Sequence, residues 1–140
     1  QYYAISALRP DAELRTALRA NFSGDVADVL PRTRNETWMF TGASVSAGFS
    51  EEFFFRGFFP WALAPWLGWW GAAALSLAIF AMGHIYQGMR GVIQTGIFGA
   101  MYTLIVWLTD SLWPAIVSHV LVDVFAGIMS FIALREKEPA

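Results

Sequence analysis

Between Thr37 and Leu134 the chain places only six charged side chains in 98 residues, whereas ten lie in the 36 residues before that stretch and four in the six after it. A segment so long and so poor in charge cannot offer water an adequate surface. It fits a bilayer, where a spanning helix takes roughly 20 predominantly apolar residues, so that 98 residues hold about four spans with short turns. The whole chain is 56% hydrophobic and 14% charged, against about a quarter charged in soluble domains. The predicted fold is all-α: a polytopic membrane helical bundle with about four transmembrane helices.

Three regions follow. Residues 1–36 form a polar segment, 37–134 the membrane core and 135–140 a polar tail. In the first, Leu14, Ala17 and Leu18 recur at helical spacing beside Arg15 and Arg19, which predicts an amphipathic helix on the membrane surface. Asp25 to Glu36 then reads as a polar connector. The chain begins with Gln1 and shows no signal segment before Arg9, so it is expected to be an excerpt or a processed form.

Punctuation by Pro60, Gly88 and Pro114 sets spans at about Thr37–Phe59, Trp61–Gly83, Gly91–Leu108 and Trp113–Leu134. If the N-terminal segment is cytoplasmic, its five Arg together with Arg90, Arg135 and Lys137 fall on one side, which predicts an N-in, C-in topology. Trp61, Trp66, Trp69, Trp70, Trp107 and Trp113 then cluster near the other face as an interfacial belt.

Net charge −2 without a basic cluster excludes a nucleic-acid partner. No cysteine is present, which removes disulfides and thiol catalysis. The expected surroundings are membrane lipids.

Ionisable groups cost several kcal/mol at bilayer depth, so each one inside the core is a functional candidate. Glu51, Glu52, Arg56 and Asp123 qualify, joined by His84 and His119, the two histidines of the chain. Glu52 and Arg56 are four apart on one helical face and can pair. Glu51 is rotated by about 100° and stays available for chemistry; the alternative is that both acids share Arg56. Phe80 and His84 also lie four apart, at a helix end where a lone histidine often serves only as a cap. His119 and Asp123 align an imidazole and a carboxylate, either as a buried structural pair or with Asp123 orienting His119 or sharing a ligand with it. With these spans His84 lies near one end of its helix and His119 roughly 10 Å from the opposite face, so a common site requires them to converge.

The spacings Glu-Glu-x-x-x-Arg (Glu51 to Arg56), Phe-x-x-x-His (Phe80 to His84) and His-x-x-x-Asn/Asp (His119 to Asp123) occur in the order of three motifs of the CAAX prenyl protease and bacteriocin-processing family. Over about Leu30 to Ile132 the chain resembles that family of intramembrane endopeptidases. The resemblance implies hydrolysis of a peptide bond near the membrane surface, in a peptide or lipid-modified protein substrate. It implies that Glu51 and His84 activate water and that His119 and Asp123 stabilise the oxyanion, with Glu52, Arg56 and Phe80 in support. Asp123 departs from the Asn of the prenyl-protease branch, and an ionised Asp accepts hydrogen bonds without donating them.

A zinc-dependent membrane protease is the mechanistic rival, with His84, His119, Glu51 and Asp123 as ligands, and the family is often labelled metalloendopeptidase-like. The chain has no His-Glu-x-x-His helix, so a metal-independent reaction without cofactor is expected. Two readings from other classes remain: a proton-coupled transporter, because Glu, Asp and His also build proton relays, and a non-catalytic immunity or scaffold protein.

Overall fold

The computed structural model describes residues 29–134. The amphipathic surface helix expected near Pro10 to Arg19 and the tail 135–140 lie outside the described residues. Helix α1 (Arg34–Glu52) runs into a π-helical segment (Phe53–Phe58) and then into α2 (Phe59–Gly83). A 3₁₀ turn (Ile85–Gln87) leads to α3 (Gly88–Thr109), and α4 (Trp113–Leu134) follows. No strand occurs among the described residues.

Polar side chains are inside and apolar ones outside. Glu52, Arg56, Ser76, His119 and Ser130 are buried, while Trp38, Trp61, Trp66, Ile97 and Phe125 are exposed. A soluble protein would gain stability by reversing that arrangement; in hydrocarbon it is the favourable one, because the unsolvated polar groups need protein partners. Three helical stretches, Arg34–Gly83, Ile85–Thr109 and Trp113–Leu134, are long and apolar enough to cross a membrane. The molecule is an all-α, membrane-embedded helical bundle.

Of the three continuous stretches the first is folded back on itself, so its two limbs stand where the first two of the about four expected spans were placed. The reversal sits at Gly68, whose φ of 66° and ψ of 165° only glycine adopts at low cost, and not at Pro60. Ser76 Oγ donates to Phe55 O at 2.6 Å, although a straight helix would hold residues 21 positions apart at roughly 30 Å. Pro60 is accommodated inside the helix for a local reason. Phe54 O accepts the Phe59 N–H, five residues on, so in this wide register Phe55 O faces position 60, where proline has no N–H to give. Ser76 supplies the missing donor.

That bond ties the returning limb of α2 to the π segment. Ser76→Ala would leave the part-buried Phe55 carbonyl without this donor, and a loss of about 1 kcal/mol in stability is expected. Thermal unfolding in detergent measures it, with Ser76→Thr, which keeps the hydroxyl, as the comparison.

The start of α1 also differs from expectation. Arg34 to Glu36 belong to the helix because Thr33 and Glu36 cap it reciprocally: Thr33 N–H donates to Glu36 Oε2 at 3.2 Å and Glu36 N–H to Thr33 Oγ1 at 3.3 Å.

Contacts divide the chain into two compact units, residues up to Gly42 with those from Asp123 onward, and Ala43–Val122. In the first, Gly127 makes room for Phe40: a Cβ there would lie 2.5 Å from the ring. In the second, a Cβ on Gly48 would lie 2.6 Å from Val120 Cγ2 and 3.2 Å from the Val120 amide nitrogen. Here α1 and α4 touch backbone to backbone, which brings His119 within reach of the end of α1.

Candidate active site

The Glu52 carboxylate is the centre of a buried network. Arg56 Nη1 donates to Glu52 Oε1 at 3.0 Å across one turn, the pairing expected from helical phase. The same oxygen lies 2.7 Å from His119 Nδ1, 67 positions further along the chain. A carboxylate paired with arginine can only accept, so Nδ1 carries the hydrogen. The other ring nitrogen, Nε2, lies 3.8 Å from Glu51 Oε2. Glu51 and Glu52 thus address the two edges of one imidazole.

Their surroundings separate their roles. The Glu52 side chain has no exposure and that of Glu51 keeps 30%, so only Glu51 can meet a substrate or water. Glu51, Glu52 and Arg56 lie at the junction where α1 widens into the π segment, a distortion frequent at functional sites. The wider turn carries Arg56 inward, where its guanidinium lies 4.1 Å over the Phe80 ring and 5.6 Å from the Tyr102 ring. Gly99 of α3 leaves space for it, since a Cβ at that position would be 2.6 Å from Arg56 Nη2. Arg56 Nη2 and Glu52 Oε2 are buried without hydrogen-bond partners. The ion pair is single-stranded, and ring stacking supplies the rest of the guanidinium's environment.

His119 is fixed on a second side by Tyr102, whose ring stacks on the imidazole at 5.0 Å and 14°. Tyr102 was not singled out from the sequence. Its signal was available: a phenol inside an apolar span needs a polar neighbour for its hydroxyl. His119 Nδ1 has Glu52 as a partner, a contact between helices that spacing within one helix does not announce. Asp123 falls in the other compact unit.

His84 closes α2. Its Nδ1 lies 2.8 Å from Phe80 O, and a carbonyl only accepts, so Nδ1–H donates and Nε2 is left as an acceptor when the ring is neutral. Its ring meets Phe80 edge-on at 4.9 Å. Phe80 is therefore a shared wall, with Arg56 against it on one side and His84 in contact with its ring as well. The reversal at Gly68, eight residues later than expected, is what brings Phe80 level with Arg56.

Among the described residues no three His, Cys, Asp or Glu side chains are grouped to hold a metal ion. Glu52 is already engaged by a guanidinium, and His119 has turned Nδ1 to that same carboxylate.

The model of the Rce1-like family, described as type II CAAX prenyl endopeptidase Rce1-like, matches residues 33–125, a stretch that contains all three motifs. No curated protein and no solved structure matches the chain. The family is one of proteases, which act on protein substrates. With about two thirds of its length matched, this integral membrane chain belongs to the Rce1-like type II CAAX prenyl endopeptidase family.

Proposed function

We propose that the chain is an intramembrane endopeptidase that hydrolyses a peptide bond near the membrane surface, with Glu51 as the general base. The observation that carries this reading is the imidazole of His119 held between a fully buried Glu52 at 2.7 Å and a partly exposed Glu51 at 3.8 Å. A water seated beside Glu51 gives its proton to the carboxylate as its oxygen attacks the scissile carbonyl carbon. The proton then passes to the leaving amine as the C–N bond breaks. His84, with Nε2 as an acceptor, is the proposed second group on that water.

In this scheme His119 serves the developing oxyanion. With Nδ1–H committed to Glu52, its imidazolium form presents Nε2–H as a donor aimed toward Glu51 and the reacting centre. Asp123 keeps its proposed part in oxyanion stabilisation on the strength of the third motif alone. Peptides and lipid-modified chain ends are the proposed substrates. The N-in, C-in topology is likewise proposed, from the distribution of basic residues.

Internally quenched peptides presented to the purified protein in detergent or liposomes test the reading. Cleavage is expected, together with its loss in Glu51→Gln. Ion flux without cleavage would replace it with the transporter reading, and neither activity would favour a scaffold.

The same assay addresses the metal. A strong chelator should leave the rate within about twofold of the untreated enzyme, because a carboxylate base needs no Lewis acid to deprotonate water. Full loss on chelation and recovery on adding zinc would overturn the metal-independent scheme.

A further inference from the structure

A second site lies well away from Glu51 and His119, at the C-terminal end of α3. Trp69, Trp70, Val106, Trp107 and Asp110 line a pocket of about 360 Å³. Counted along α3 from Gly99, which touches Arg56, Asp110 is eleven residues on, roughly 16 Å.

Three independent features of this pocket favour a cation. Its walls are indoles set at steep angles: the Trp69 and Trp70 rings lie 4.7 Å apart at 88°, and those of Trp70 and Trp107 lie 5.2 Å apart at 49°. Differently tilted π faces around one space attract a positive group through their quadrupoles. Asp110 adds a carboxylate. It follows the last residue of α3 in the left-handed conformation, φ 48° and ψ 33°, and forms no ion pair among the described residues. The helix end itself is the negative pole of α3, and no basic residue sits in its last turn to offset it. The nearest Lys or Arg in sequence are Arg90 and Arg135, at least 20 positions away.

We propose that this pocket binds the quaternary ammonium of a lipid headgroup. Methylated ammonium matches the walls better than a metal ion or a primary amine, since its N-methyl groups carry the charge and also bury apolar surface against indole. A hard metal ion would need several oxygen ligands where the pocket offers one carboxylate. A lipid source follows from position: Thr109 ends an apolar helix long enough to span the bilayer, which puts Asp110 at headgroup level. The site is independent of the proteolytic reading and would stand without it.

The test uses the purified full chain in a maltoside detergent, followed by tryptophan fluorescence and thermal shift. Dihexanoyl phosphatidylcholine below its micellar concentration is titrated beside dihexanoyl phosphatidylglycerol, with tetramethylammonium chloride as a competitor and sodium chloride as the ionic control. Saturable binding of the choline lipid, displaced by tetramethylammonium, is expected. Asp110→Asn should weaken it at least tenfold; asparagine tolerates the left-handed backbone, so the turn survives. Trp107→Leu, which removes one wall, gives a second variant should the first unfold. Equal binding of both lipids, or binding unchanged in both variants, would overturn the proposal. Binding of tetramethylammonium without the choline lipid would overturn the lipid assignment.

Discussion

Glu51→Gln should leave a folded protein that has lost peptide hydrolysis by a factor of about 10² to 10⁴, the range contributed by a positioned general base. The amide keeps the size and shape of the side chain but cannot take a proton from water. Glu51 is the carboxylate with access to the outside, at 30% exposure, while the buried ion pair with Arg56 is made by Glu52. Thermal unfolding should therefore change little. Steady-state cleavage of a quenched peptide, measured beside the melting temperature, checks both halves. Residual activity within tenfold of wild type would remove Glu51 from the role of base.

Glu52→Gln should cost both stability and activity. From helical phase alone this residue is expected to matter for folding, through Arg56. The structure adds a second dependency, since Glu52 Oε1 is also the partner of His119 Nδ1 at 2.7 Å. Neutralising one member of a buried pair leaves an uncompensated charge and destabilises by about 3–5 kcal/mol. Loss of the oriented imidazole adds a rate defect, and the corresponding change of an orienting carboxylate to amide in serine-protease triads lowers kcat by about 10⁴. Combining Glu52→Gln with Arg56→Met separates the two effects: removing the stranded guanidinium should restore much of the melting temperature and none of the activity. Recovery of cleavage in the double variant would show that His119 does not depend on Glu52.

What could be read from the sequence was whatever depends on neighbours along the chain. The Glu52–Arg56 pair and the Phe80–His84 contact are both four-residue spacings on single helices, and both form. The membrane environment was legible for a similar reason, because charge density is a property of a segment. The missed features depend on two segments at once. Pro60 reads as a break because a proline normally ends a helix. It does so unless the carbonyl it abandons finds a donor elsewhere, and that donor, Ser76, sits sixteen positions further on in a stretch that reads as uniformly apolar. The link from His119 to Glu52 spans 67 positions and follows from the contact at Gly48 and Val120, which no periodicity announces. Tyr102 became significant only once the imidazole beneath it was known.

The order in which these parts leave the ribosome has a consequence for how the enzyme is made. Glu52 and Arg56 neutralise each other within a single turn, so that pair can enter the bilayer before α4 is there to shelter it. His119, on α4, is made later than both. Until then Glu52 has its cation but not its imidazole partner. Under the proposed mechanism, the site is assembled only when the segment that carries His119 has joined the end of α1.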